Sequence, residues 1–253
     1  MTFTHAVARL PATNAGAGLT SAGLGTPDVE RMFLQHREYI GILESLGFQV
    51  TVLAAHEQFP DGCFVEDTAI VTPTVAVITR PGAPSRQGEE TAIEPLLARH
   101  RPIARIVAPG SVDGGDILVM GARVLIGLSS RTNEEGARQL TGILEAQGMQ
   151  CISLAAGAGL HLKSSINGLD ENIILVTRTF SEHTELRGFE QIVIPDEESY
   201  AGNSLSVNGR VIVPAGFPGT RALIDGLGIE TIESDVSEFR KMDGGLTCLS
   251  IRF

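Results

Sequence analysis

The chain has 253 residues, 43% of them hydrophobic, and a formal net charge of −11. That length can bury one large core or two small ones. The acidic balance argues against a general nucleic-acid binder, and no apolar run approaches the ~18 residues of a membrane span, so small-molecule partners are expected.

In chain order, residues 5–9 read as a strand. Residues 10–25, rich in Gly, Ala, Ser and Thr, read as a loop and a lid candidate. A helix follows, with Thr26 as its cap, Pro27 at its first position and Gly47 at its end. Residues 48–53 form the next strand. Residues 64–71 and 75–79 read as two strands, 88–100 as a helix flawed by Pro95, and 103–107 as a strand. Residues 116–120 and 123–128 read as a hairpin. Asn133 caps a helix with Glu134 and Glu135 in its first turn and Gly148 at its end, and 149–154 is the strand after it. The pattern returns with a strand at 172–176, a weak helix at 181–186 and a strand at 191–194. It returns again with strands at 204–207 and 210–213 around Asn208-Gly209, the strongest short hairpin signal. A helix at 220–227, a strand at 230–232 and a last strand at 246–251 complete the chain.

Grouped this way, the chain holds five strand-strand-helix-strand (ββαβ) units at a period of about 45–50 residues, the fifth split across the termini. The alternative is an ordinary α/β sheet with irregular hairpins. The predicted fold is an α/β class, five-fold pseudosymmetric α/β-propeller, a single domain over residues 1–253 closed by pairing the terminal strands. Glu66-Asp67, Asp113, His161, Asn203 and Cys248 fall at or just before the first strand of their units. In a closed ring these positions converge near the axis.

There are three cysteines, Cys63, Cys151 and Cys248. Their odd number and spacing fit neither a disulfide framework nor a zinc site, and a reducing cytoplasm is the expected compartment. Cys151 lies in an apolar strand and reads as core, whereas Cys63 follows Pro60-Asp-Gly62 and stays open. Cys248 follows an Asp-Gly-Gly bend near the end of the chain, where a rigid element can present a thiol nucleophile. Such a thiol needs a nearby base. His161 is the candidate, with Asp113 to orient it. Cys248, His161 and Asp113 are also suitable zinc donors, which is a competing reading. Two consecutive acids in an apolar segment, Glu66 and Asp67, need partners if buried, and a guanidinium suits one. Arg86, in a turn-rich loop, and Arg131, ahead of a helix N-terminus, together suit an α-carboxylate.

These residues bring a family into view. Leu19-Thr-Ser21, Phe59-Pro-Asp61, Phe64-Val-Glu-Asp67, Thr79-Arg-Pro-Gly82 with Arg86, Gly114-Gly-Asp116, Arg131-Thr-Asn133, Leu160-His-Leu-Lys163, Glu198-Ser-Tyr200 and Cys248 span the whole chain. As a set, they resemble the dimethylarginine dimethylaminohydrolases, guanidine-modifying enzymes of the five-fold α/β-propeller (pentein) fold.

The resemblance implies that Cys248 attacks a guanidinium carbon. It implies that His161, oriented by Asp113, protonates the leaving amine and then activates water. It assigns Asp67 to the guanidinium with Glu66 in support, Asp61 and the Leu19 carbonyl to the α-ammonium, and Arg86 and Arg131 to the α-carboxylate. The implied partner is a small molecule, a methylated arginine, with no metal, no organic cofactor, no nucleic acid and no membrane, and a homodimer is the oligomer to look for. Arginine deiminases place an Asp two residues after the catalytic His. Lys163 stands there in this chain, and a second carboxylate would be left unpaired against a dimethylated nitrogen, so Lys163 favours methylated arginine. The competing functions are a deiminase or dihydrolase of arginine itself, an amidinotransferase, and a non-catalytic binding protein on the same scaffold.

Overall fold

The computed structural model describes residues 2–157 and 160–253. Its elements run β1 (His5–Arg9), α1 (Val29–Ser45), β2 (Gln49–Leu53), β3 (Ala69–Val71), β4 (Ala76–Ile78), α2 (Glu94–Leu97), β5 (Ile103–Arg105), β6 (Ile117–Met120), β7 (Arg123–Leu128), α3 (Glu134–Glu145) and β8 (Gln150–Ala155). They continue with β9 (Ile166–Gly168), β10 (Ile173–Val176), α4 (Arg178–Ser181), β11 (Glu190–Val193), β12 (Leu205–Val207), β13 (Arg210–Pro214), α5 (Pro218–Asp225), β14 (Glu230–Ser234), α6 (Ser237–Arg240) and β15 (Ile251–Arg252).

The strands form sheets of three: β3-β4-β5, β6-β7-β8, β9-β10-β11, β12-β13-β14 and β15-β1-β2. In each, the middle strand pairs antiparallel with the first and parallel with the third. The sheet made from both termini carries the registers Ala6↔Arg252 and His5↔Gln49. This is the expected five-fold α/β-propeller. Middle strands are covered on both faces, so they read as continuous apolar runs. Val124, Leu125 and Ile126 of β7 are fully buried, each stabilising by about 1.5–3 kcal/mol. Leu140 and Leu144, one turn apart on α3, pack in one core with Val124 and Ile126. Residues of the five first strands line an axial cavity of about 450 Å³.

The structure corrects several local expectations. Residues 64–71 are not one strand: Val65–Thr68 is a 3₁₀ turn, and the strand is Ala69–Val71. The Thr68 hydroxyl donates to the Val65 carbonyl at 2.7 Å and the Thr79 hydroxyl to the Asp67 carbonyl at 2.6 Å, which holds the turn. The same device precedes the other first strands, at Gly114–Asp116, Leu162–Ser164, Asp196–Gly202 and Thr247–Leu249. α1 is capped by Asp28 instead of Thr26, because the Asp28 carboxylate accepts the Arg31 N–H at 3.1 Å. Residues 88–100 break into a 3₁₀ turn and the short α2 around Pro95. Asn133 caps α3 as expected, accepting from the Gly136 N–H at 2.8 Å. Asn208 and Gly209 both have positive φ, as a type I′ turn requires. No helix among the described residues is long and apolar enough to cross a membrane.

Candidate active site

The recurring 3₁₀ turns decide where the polar side chains point. Four of them carry or adjoin Glu66-Asp67, Asp113, His161 and Cys248, and they aim these groups at the axis. A small cavity of about 30 Å³ lies there, lined among others by Leu19, Asp61, Asp67, Arg86, Arg131 and Cys248, with Asp113 and His161. Every sequence-predicted site residue except Glu66 borders it. In its turn, Glu66 points the other way, into the axial cavity.

His161 Nε2 and Asp113 Oδ2 are 2.9 Å apart, both groups buried. Asp113 Oδ1 accepts the Gly82 N–H at 2.8 Å. Burial pushes the Asp113 carboxyl up, but the hydrogen bond and charge of His161 outweigh it and hold the carboxyl below its ordinary value. Burial also pulls the imidazole down. Asp67, the Asp113 bond and Asp116 outweigh that and raise His161 to about 9, so it stands protonated at neutral pH. The Cys248 thiol is pushed up to about 12, first by burial and then by Glu66 and Asp67. Cys248 and His161 border the same cavity, and a thiol buried beside two carboxylates needs added positive charge to become a thiolate.

Gly115 makes the pairing possible. A Cβ there would lie 2.7 Å from His161 Nδ1, a distance real Cβ atoms do not reach without movement, and a tight 3.0 Å from Asp67 Oδ1. The bare backbone instead lets the Gly115 N–H donate to Asp67 at 2.8 Å. Asp67, Asp113 and His161 present ligand atoms within 4.8 Å of one another. Asp67 accepts from Arg86 and Gly115, and Asp113 pairs with His161 and accepts from Gly82, so the groups are already held by one another and by the backbone.

Arg86 and Arg131 are not equivalent, as the sequence reading took them to be. Arg86 donates to Asp67 at 2.5 Å, to Glu89 at 3.0 and 2.7 Å, and to the Phe64 carbonyl at 3.0 Å. That uses four of its five N–H donors. The Arg131 side chain makes no hydrogen bond among the described residues and is free to meet an anion. Glu89, which the sequence reading missed, is the partner three residues after Arg86, an i,i+3 pair that joins the turn-rich loop to the start of the segment read as a helix.

Lys163 is directed away from the small cavity. Its ammonium meets Glu66 at 2.7 Å and the Gly114 carbonyl at 3.1 Å. Glu66 also accepts from Arg252 at 3.0 Å and Thr247 at 2.7 Å. This buried cluster forms the floor between the small cavity and the axial one. Cys63 is fully buried in the core formed by α1 and the terminal segments, with its thiol pushed up by burial, so it is inert packing.

The segment over the cavity is closed. The Leu19 N–H donates to both oxygens of Asp61 at 3.1 Å, the Thr20 hydroxyl to the Lys241 carbonyl at 2.8 Å, and the Ser21 N–H to Asp243 at 2.5 Å. A space of about 30 Å³ holds about one or two waters, so an amino-acid ligand requires this segment to move.

A family model described as arginine deiminase matches residues 55–199, more than half of the chain. The N(G),N(G)-dimethylarginine dimethylaminohydrolase of Pseudomonas aeruginosa is 46% identical over 253 residues, covering 99% of this chain and 100% of that protein. A solved structure of the P. aeruginosa enzyme, a cysteine-to-serine variant complexed with citrulline, superposes with a TM-score of 0.98 at 45% identity over the full length of both chains. A histidine-to-glycine variant of a dimethylarginine dimethylaminohydrolase, captured as an adduct with S-methyl-L-thiocitrulline, does so with 0.97 at 46%, again over both full chains. The chain belongs to the dimethylarginine dimethylaminohydrolase family.

Proposed function

We propose that the protein hydrolyses N-omega-methylated arginines, asymmetric dimethylarginine and monomethylarginine, to citrulline and di- or monomethylamine. The observation that carries this reading is the convergence of a thiol, a protonated imidazole, a carboxylate and an arginine with no side-chain partner among the described residues on one small cavity. The relatives bound to citrulline and to a thiocitrulline adduct support it.

The substrate's guanidinium docks on Asp67, its α-carboxylate on Arg131 and the remaining Nη1–H of Arg86, and its α-ammonium on Asp61 and the Leu19 carbonyl. Its positive charge offsets Glu66 and Asp67, the acids that hold the Cys248 thiol up, and the thiol proton leaves to solvent. The thiolate adds to the guanidinium carbon. His161, held protonated by its acids, gives its proton to the methylated nitrogen, and the C–N bond breaks to release the amine. The neutral imidazole then takes a proton from water, hydroxide adds to the thiouronium carbon, and collapse expels the Cys248 sulfur, which takes up the hydroxyl proton to restore the resting thiol as citrulline leaves. Lys163 acts from the floor, by pairing Glu66 and leaving Asp67 as the carboxylate facing the guanidinium.

The test is side-by-side turnover of asymmetric dimethylarginine, monomethylarginine and arginine, with the released amine and citrulline identified. Dimethylamine with citrulline, and arginine poor, is the expected result. Ammonia from arginine at a comparable rate moves the protein to the deiminase reading, and no product from any of the three removes the hydrolase reading.

A further inference from the structure

Asp116 closes the Gly114-Gly-Asp116 motif, and the mechanism above does not use it. Its carboxylate is fully buried. It accepts from the Ser129 hydroxyl at 2.6 Å, the Thr132 hydroxyl at 2.7 Å and the Leu162 N–H at 2.9 Å. All three donors are neutral, and no Lys or Arg among the described residues is within ion-pair distance of it. A buried carboxylate without a cationic partner is costly.

We infer that Asp116 is a positioning residue for the His161–Asp113 pair. One oxygen fixes the backbone of the turn that follows His161, the other fixes the Asp113 segment through Thr132, and the carboxylate faces the imidazole as its through-space counter-ion. This inference rests on the role given to His161 under Proposed function.

The geometry links both halves of the pair to one group. Thr132 Oγ1, which donates to Asp116, accepts the backbone N–H of Asp113 at 3.1 Å. Leu162, which donates its N–H to the other oxygen, is the residue after His161. The packing leaves no slack: a Cβ on Gly127 would lie 2.7 Å from Leu162 Cβ and 3.2 Å from Asp116 Oδ1.

The charges around the imidazole give the counter-ion role its weight. Asp67, Asp113 and Cys248 border the same small cavity as the imidazole, from the turns before β3, β6 and β15, and Asp116 holds the N–H of the residue next to it. Of the cations nearby, Arg86 is spent on Asp67 and Glu89, Lys163 is spent on Glu66, and Arg131 borders the cavity from its loop. The imidazolium is the cation paired with Asp113, and it sits on the residue before the one that Asp116 holds. In keeping with this, the Asp116 carboxyl is pushed up by burial and pulled back chiefly by the charge of His161.

The test replaces Asp116 with asparagine in the full chain. Asp116→Asn keeps an oxygen for the Leu162 N–H and removes the charge. The His161 imidazole, followed by ¹H–¹⁵N NMR, should titrate about one pH unit lower than in wild type. The alkaline limb of kcat/KM should move down by the same amount. A merely structural residue would lower the unfolding midpoint and leave the His161 titration where it was, and that result overturns the inference. Linkage gives a second measurement that does not need the Asp116 variant to fold. In His161→Gln, the Asp116 carboxyl carbon should titrate at higher pH than in wild type, and an unchanged titration overturns the inference. Neither NMR titration depends on which substrate the enzyme turns over, so failure here is separable from failure of the proposed activity.

Discussion

Glu66 tests the floor of the site most sharply. Its carboxylate receives Lys163 at 2.7 Å, Arg252 at 3.0 Å and Thr247 at 2.7 Å, and its side chain is 5% exposed against 11% and 12% for the two cations. Glu66→Gln would leave two buried cations facing each other without their shared anion. Removing one partner of a buried ion pair costs about 3–5 kcal/mol, which for a chain of this size lowers the unfolding midpoint by roughly 10 °C. Lys163→Met should cost less than half as much, because Glu66 keeps Arg252 and Thr247. The assay is thermal and urea unfolding at pH 7 of wild type, both single variants and the double variant. The cycle should show a coupling of at least about 1.5 kcal/mol between Glu66 and Lys163. A Glu66→Gln cost under about 1 kcal/mol, the worth of an exposed pair, or a Lys163→Met cost that exceeds it, would refute the reasoning.

Other expected outcomes concern the pair above the floor. Gly115→Ala forces a Cβ onto the His161 ring and should lower kcat by about 100-fold or more, with the unfolding midpoint dropping far less than in Glu66→Gln; wild-type turnover would show that the ring has room to shift. Asn203 accepts the Thr247 N–H at 3.0 Å and donates to the Thr247 hydroxyl and the Lys163 carbonyl, both at 3.1 Å, so it ties the nucleophile's turn to that of His161. Asn203→Ala should lower kcat about tenfold or more with KM within about threefold, whereas a change confined to KM would place its influence elsewhere. The folded pKa of His161 is raised to about 9, so its partners contribute stability that is fully present below about 6.5 and lost as pH rises through about 9. Wild type should therefore lose on the order of 3 kcal/mol more than His161→Gln between pH 6 and 10, read by urea unfolding, and parallel curves would contradict the charge assignment.

Much of this arrangement is legible in the residues because it depends on repetition. The Asn133 cap, the Asn208-Gly209 turn and the apolar middle strands are local signals, and five of each unit add up to a ring. The convergence of Asp67, Asp113, His161 and Cys248 follows from that ring. What the residues hide is how each chain segment turns at the axis. The apolar run around Glu66 and Asp67 has the composition of a strand, yet the Thr68 and Thr79 hydroxyls tie it into a 3₁₀ turn. That turn sends the two acids into different cavities. The fate of Arg86 is equally hidden, because its partner Asp67 is set by tertiary contact and its local partner Glu89 by a 3₁₀ turn that the sequence does not announce. Lys163 reads as a specificity residue beside the guanidinium, whereas its ammonium is turned away from the small cavity and paired with Glu66.

The central claim is that Cys248 is the nucleophile and forms a covalent intermediate. Acid-quenching the enzyme during turnover of asymmetric dimethylarginine and weighing it intact tests this directly. The account predicts an added mass equal to substrate minus dimethylamine, carried on the peptide that contains Cys248 and absent from Cys248→Ser. An adduct on Cys63, or turnover at wild-type rate by Cys248→Ser, would contradict it.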